Sequence, residues 1–326
     1  MKLLKLPNLI QQQVYEELTT VEKLILSMAS KKTLASIRQF KWDVAVVAFG
    51  FENRYIEIRF PNKSELNLED DKIRFKIEPF PKILCVQLPK KGPISKFHFD
   101  FKSNIALELH NHVFELFSRS VNLKLQVEIF EFKNYKPIPN VKLAYLLGDQ
   151  ADIDEFIDAN SELEGLKLYD TIDFTLNSKI FNVRSVSVRD LKMSFTEFIR
   201  YFKGRDAVFW YFNEKTDDAI KFLESWLNGE YSDTLEFVQV NNCISNGVIR
   251  NAVQRRFRDL LKPWNESELP RFYRFGAELE TNLETGSEYY DFEGGFYLER
   301  NADGKRGLLN LGSEFMSFWI LKESHF

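Results

Sequence analysis

Apolar positions follow different periods along the chain. Up to Arg38 they recur every three or four residues. Ile10, Val14 and Leu18, with Tyr15 beside them, mark one face of a helix. Pro7 suits its start, where a missing N–H costs nothing. Thr19-Thr20 interrupt the pattern. Thr20 is placed to cap a second helix carrying Val21, Leu24, Ile25 and Met28, and Ser30 a third carrying Leu34 and Ile37. From Val44 the period shortens to two. Val44–Phe49, Arg54–Phe60, Ile73–Ile77, Ile83–Leu88 and Ile94–Phe101 read as strands, with breaks at Pro61, Pro79, Pro81 and Lys90-Lys91-Gly92-Pro93. Ile105, Leu109, Val113, Leu116 and Phe117 predict a helix, followed by a strand near Leu123–Phe132.

Beyond Lys136 the pattern repeats. Five imperfect copies of L-x-x-L-x-L-x-x-N/C appear: Val141-x-x-Ala144-x-Leu146, Leu163-x-x-Leu166-x-Leu168, Val183-x-x-Val186-x-Val188, Ala207-x-x-Trp210-x-Phe212 and Leu235-x-x-Val238-x-Val240. The last ends in Cys243 at the N/C position. Their spacing is close to the roughly 20–29 residues of leucine-rich repeats. Amphipathic helices are expected at Ile153–Ile157, Phe195–Phe202, Ile220–Leu227 (capped by Thr216, stopped at Gly229) and Val248–Leu261. Leu168–Ile180 carries no helical pattern. Phe296–Glu299 and Gly307–Leu311 flank Asn301-Ala302-Asp303-Gly304, a hairpin signature. With Phe315, Phe318 and Trp319 it is expected to cap the last repeat, whose edge would otherwise stay open. The expected fold is mixed α/β: three N-terminal helices, then a leucine-rich-repeat-like strand–helix region with parallel strands and a C-terminal hairpin cap.

In such repeats the leucine positions point inward and the positions between them face an open concave side. The fifth positions form a column of Tyr145, Lys167, Ser187, Tyr211 and Gln239. Leu147, Tyr169, Arg189, Asn213 and Asn241 stand beside it, and Phe209 and Phe237 occupy third positions. Aromatic and Arg residues on an open face are the residue types that dominate protein interfaces, which makes this column the candidate target-binding surface.

Composition narrows the function classes. The chain has 326 residues, 44% of them hydrophobic, enough for two domains or one extended one with a substantial core. A net charge of −4 offers no global field for nucleic acid or anionic membrane. Cys85 and Cys243 are the two cysteines, so no disulfide framework organises the fold and a reducing compartment is expected. Lys5 and Pro7 interrupt the first apolar run, which is not a signal-peptide core, and no run reaches the ~20 residues of a membrane span. An intracellular location, cytoplasmic or nuclear, is the expectation.

Catalytic motifs are missing: no Walker loop, dinucleotide fingerprint, zincin helix or G-x-S-x-G elbow. His110-x-His112 lacks further ligands for a metal and reads as a polar helix face. Asp152-x-Asp154 reads as helix-start acid rather than a calcium loop. Arg255-Arg256-x-Arg258 reads as a solvated face, and Gly294-Gly295 as a turn. No cofactor is expected.

Leu6-Pro7-x-x-Ile10-x-x-x-Val14-Tyr15-x-x-Leu18, then Ser30-Lys31-Lys32 and Trp42, resembles an F-box, especially the N-terminal F-box of the large nematode F-box families. Leu9, Lys23 and Ala29 depart from its usual residues. Thr216–Trp226 with Leu235–Val240, and Tyr297–Lys305, resemble the F-box-associated type-2 domain that follows it. The resemblance implies an F-box at 1–42, a β-rich connecting region at 43–136 that opens the C-terminal domain, and a target-binding region at 137–326. It implies binding to a Skp-family adaptor, and through it to a cullin-RING ubiquitin ligase, by Leu6, Pro7, Ile10, Val14, Tyr15, Leu18 and Leu24. An unknown target protein is the second partner; nucleic acid and membrane are not expected. Such a substrate-recognition subunit needs no catalytic residue, because it supplies proximity. The alternative is a non-degradative scaffold with a weak or vestigial F-box.

Overall fold

A computed structural model describes residues 7–18, 20–39, 46–50, 55–59, 72–79, 82–87, 95–98, 112, 113, 115–117, 124–129, 132, 141–169, 173–210, 216–241, 248–265, 269–274, 289–312 and 315–322. The protein is mixed α/β and divides into two compact units. One comprises Met1–Ile129 with Asn134–Val141, the other Phe130–Lys133 with Lys142–Phe326.

The first unit opens with α1 (Asn8–Glu17), α2 (Thr20–Ala29) and α3 (Lys31–Ile37). Pro7 precedes α1, and its carbonyl accepts the Ile10 and Gln11 N–H groups at 3.0 Å. Thr20 is the first residue of α2 rather than its cap. Ser30 caps α3 as expected: its hydroxyl accepts from the Thr33 N–H at 3.1 Å, satisfying an end-of-helix donor. Tyr15, Leu24, Leu34 and Ile37 are buried. This helical module is tied to the rest of its unit. The buried Ser27 hydroxyl donates to the Leu24 carbonyl (2.6 Å), so the contact with His112 Nε2 (2.8 Å) is a hydrogen bond donated by the imidazole. Burial pushes the His112 pKa down, which keeps that ring neutral. Arg38 pairs with Glu115 at 3.2 Å.

Its strands are β1 (Val46–Gly50), β2 (Tyr55–Arg59), β3 (Lys72–Pro79), β4 (Lys82–Gln87), β5 (Ser95–His98) and β6 (Lys124–Ile129). All six fall within the expected segments or a residue or two beyond. Their order is β6-β1-β2-β3-β4-β5, antiparallel from β1 to β5, with β6 parallel to β1. Val113, Leu116 and Phe117 are buried, with helical backbone at their positions; the expected helix start at Ile105 lies outside the described residues.

The second unit alternates β7 (Val141–Leu146), α4 (Gln150–Ala159), β8 (Gly165–Leu168), a 3-10 turn (Lys179–Asn182), β9 (Ser185–Arg189), α5 (Phe195–Tyr201), β10 (Asp206–Trp210), α6 (Thr216–Leu227) and β11 (Phe237–Asn241). β7 to β11 are parallel neighbours in chain order. Helices α5 and α6 lie on one face of these strands, the arrangement that right-handed crossovers between sequentially ordered parallel strands produce. That face holds an aromatic core: Phe195 and Phe198 pack on Phe209, and Phe222 and Trp226 on Phe318, with ring centroids 4.9–5.8 Å apart. The Leu168–Ile180 stretch, which lacked a helical pattern, ends at the 3-10 turn. Asp154 of α4 anchors this turn by accepting from Ser178 Oγ (2.8 Å) and Lys179 N (2.7 Å).

After α7 (Val248–Arg256) come β12 (Lys262–Pro263), β13 (Phe272–Arg274), β14 (Tyr289–Asp291), β15 (Phe296–Glu299), β16 (Arg306–Leu311) and β17 (Phe315–Ile320). β17 runs antiparallel to β11 and closes its edge as expected, followed by β16, β15 and β12. Pro263 is tolerated because β12 is an edge strand. At the β15–β16 turn Gly304 has φ +70°, and Arg300 and Lys305 close the loop through a 2.8 Å N–H to carbonyl bond. Gly229, at φ +77°, ends α6 with Glu230 N donating to the Ser225 carbonyl.

Four of the five repeat copies align in register. Ala144, Leu166, Val186 and Val238 share a row, as do Leu146, Leu168, Val188 and Val240. The fourth copy is displaced. Ala207 and Phe209, not Trp210 and Phe212, occupy those rows. A shift of odd length exchanges the two faces of a strand. The entry into β10 sets this register. A Cβ at Gly204 would meet the Val183 carbonyl oxygen at 2.2 Å and that of Arg184 at 2.7 Å, so the chain passes at a separation only glycine permits.

Candidate interaction surfaces

The first surface is α1. Pro7 is exposed, Ile10 is 43% exposed, and Val14 and Leu18 are half-buried. Leu6 lies outside the described residues. Tyr15 and Leu24 are each only 2% exposed and fill the module's own core. The expected single apolar face is therefore split. Tyr15 points inward, while the edge of α1 that carries Ile10 stays in solvent. Leu9, one step around the helix from Ile10, is 67% exposed and extends this apolar edge. The four-residue spacing of Ile10, Val14 and Leu18 passed over it, because an apolar residue off the main stripe has no periodic signature.

The second surface is the sheet face opposite the helices. Register places Tyr145, Lys167, Ser187 and Gln239 in one column there, as expected, with Val208 as the fourth-strand member. Tyr211 lies outside the described residues. Phe209 is corrected to the helix-facing side, where it is fully buried, for the reason of register given above. Nor is the column open: all of these side chains are buried. Lys167 extends its ammonium over the rings of Tyr145 (5.5 Å) and Tyr169 (5.4 Å), and the Trp210 indole donates to the Ser187 hydroxyl at 3.0 Å. Toward β10, β11, β16 and β17 the same face carries a second apolar core. Val208, Phe237, Leu308 and Trp319 pack there with Leu269 and Phe292 from the segment that follows α7. Two residues further along each strand, on the same face, the side chains are half-buried: Leu147, Tyr169, Arg189, Trp210 and Asn241. They line the C-terminal ends of the parallel strands, the end at which parallel sheets present their ligand-binding loops. Asn213 lies outside the described residues.

The weaker candidates resolve locally. His112 is committed to Ser27, and Arg256 pairs with Glu224 at 2.6 Å. Asp149 caps α4 by accepting from the Asp152 N–H, and Gly294 turns at φ +72°. Among the described residues no group of three or more His, Cys, Asp or Glu side chains converges, and no helix is long and apolar enough to cross a membrane. Comparison with protein-family models, curated proteins and solved structures finds no match.

Proposed function

We propose that this protein is a non-catalytic, two-ended adaptor: the substrate-recognition subunit of an SCF-type ubiquitin ligase. Its α1 edge engages a Skp-family adaptor, and its strand–helix unit, of leucine-rich-repeat-like organisation, engages a target protein. One observation carries the reading. The small helical module fills its own core yet leaves Leu9 and Ile10 in solvent beside Pro7, side by side at the start of α1. A solvent-exposed apolar helix edge fits the helix-in-groove mode of partner binding. On the target side, the row of Tyr169, Arg189, Trp210 and Asn241 supplies partly accessible aromatic, cationic and amide groups.

A specific observation favours a second reading. Tyr15 and Leu24, which the F-box resemblance assigns to the adaptor, are inside the module. An adaptor interface reduced to Pro7, Leu9, Ile10 and the half-buried Val14 and Leu18 suits a scaffold that has lost ligase coupling. Affinity capture of the full chain with mass spectrometry separates the two. The ligase reading expects a Skp-family adaptor and a cullin in the captured set, lost when Leu9 and Ile10 are replaced by Asp. A captured set without either protein refutes it and leaves the scaffold. Substitution is preferable to deleting the module, because Ser27–His112 and Arg38–Glu115 make it part of its unit.

A further inference from the structure

Two faces of opposite charge stand on different helices of the strand–helix unit. α4 carries the acidic one. Asp152 is half-buried and Glu155 exposed, three residues apart, and neither makes an ion pair among the described residues. Their neighbours are committed: Asp154 holds the 3-10 turn, and Asp158 pairs with Lys179 at 3.1 Å. Burial, then the like charges of Asp149 and Glu155, push the Asp152 carboxyl above its usual value. α7 and the turn that prolongs it carry the basic face. Arg255 and Arg258 are exposed and make no ion pair among the described residues, and Asp259 of the same turn pairs with neither. Each face has an exposed leucine beside it. Leu176, 52% exposed, follows Thr175, whose N–H donates to the Gln150 side chain of α4 at 2.8 Å. Leu260, 46% exposed, lies in the turn after α7. The two faces cannot neutralise each other within one molecule. α7 packs on α6 and α6 on α5, while α4 joins β7 to β8 at the other end of the row. Helix-to-helix steps of about 8–10 Å each therefore separate them, well beyond the ~8 Å screening length at physiological salt.

We propose that the α7 face docks on the α4 face of a second copy of this chain, so that the protein self-associates head to tail. Arg255 and Arg258 share the three-residue spacing of Asp152 and Glu155, which suits two neighbouring guanidinium–carboxylate pairs. Leu260 and Leu176 add apolar area at the margins. The two faces are different surfaces, so the contact is heterologous, and each copy keeps one face for a further copy. An acidic segment of another protein would satisfy the arginines alone, whereas a second copy accounts for both faces. Exposed ion pairs are individually weak, so the association is weak and strongly salt-dependent. These faces are independent of the α1 edge, so failure of the proposal leaves the adaptor reading untouched.

The test is sedimentation velocity of the full chain, from about 10 to about 300 μM protein, in about 50 and about 500 mM sodium chloride. The sedimentation coefficient should rise with protein concentration at low salt and stay monomeric at high salt. Two double variants, Arg255→Glu with Arg258→Glu and Asp152→Lys with Glu155→Lys, should each lose self-association by about tenfold or more, because both faces then carry one sign. Mixed in equal amounts they should associate again, since the arginines of the second meet the carboxylates of the first. That recovery also shows that both variants are folded. A natural chain that stays monomeric at low salt, self-association that persists at high salt or in both double variants, or a mixture of folded variants that stays monomeric would each overturn the proposal.

Discussion

Replacing Leu9 and Ile10 together by Ala should weaken adaptor binding without unfolding the module. Leu9 is 67% exposed and Ile10 43% exposed, so each still has apolar area to give to a partner. Fully burying a Leu or Ile side chain contributes about 1.5–3 kcal/mol. Scaled by these exposures, burial against an adaptor is worth about 1–2 kcal/mol for Leu9 and about 0.6–1.3 kcal/mol for Ile10. Their sum, about 1.6–3.3 kcal/mol, corresponds to a rise in Kd of roughly 14- to 230-fold at 1.4 kcal/mol per decade. By the same scaling the parts of the two side chains already covered contribute about 1.4–2.7 kcal/mol, so the double variant should lose no more than about that much stability. Leu24→Ala is the contrasting variant. Leu24 is buried, and its truncation should cost about 2–5 kcal/mol of stability. The assay is calorimetric titration of the full chain with a purified Skp-family adaptor, alongside urea unfolding of each variant. A double variant that stays folded and binds within about threefold of the natural chain would refute the reasoning, because an interface that ignores its exposed apolar edge is not built on it.

Three further outcomes follow from local geometry. Gly204→Ala should destabilise the second unit by more than about 2 kcal/mol in chemical unfolding, since the new Cβ meets two backbone carbonyls that cannot step aside; a neutral result would show that β10 can shift register. Asp303→Asn should lower the unfolding midpoint more than Arg300→Met does, because the first strands a buried guanidinium whereas the second frees a carboxylate that can rehydrate; the reverse order would show that the clasp is not electrostatic. The His112 pKa lies below its usual 6.5 through burial, so the unfolded chain binds the proton more readily. The associated stability is complete above about pH 6.5 and is lost as pH falls toward the depressed folded value. His112→Gln should flatten this slope in urea titrations between about pH 7.5 and 5.5, and an unchanged slope would assign it elsewhere.

Much of the fold was legible because its elements are short and strongly periodic. The six strands of the first unit, the Ser30 cap, the Gly229 stop and the Asp303-Gly304 hairpin each rest on a local rule: alternation, an end-of-helix donor, or a backbone angle that favours glycine. The candidate surfaces were less legible. Ile10 and Tyr15 look equally apolar in the sequence, yet one lies in solvent and the other in the core. Leu9 carried no periodic mark at all.

The repeat strands divide the two kinds of information most clearly. Local pattern determined that β7 to β11 exist, that helices alternate with most of them, and that β17 closes the edge of β11. It could not decide which residue of the fourth strand faces inward, because Ala207, Phe209, Trp210 and Phe212 are apolar on both parities. The close passage of Gly204 against the Val183 and Arg184 carbonyls decided it. Nor could pattern reveal that Leu269 and Phe292, distant in the chain, would cover the opposite face with a second core. Register and cover depend on contacts between residues far apart in sequence, and a period computed within one strand carries no information about them.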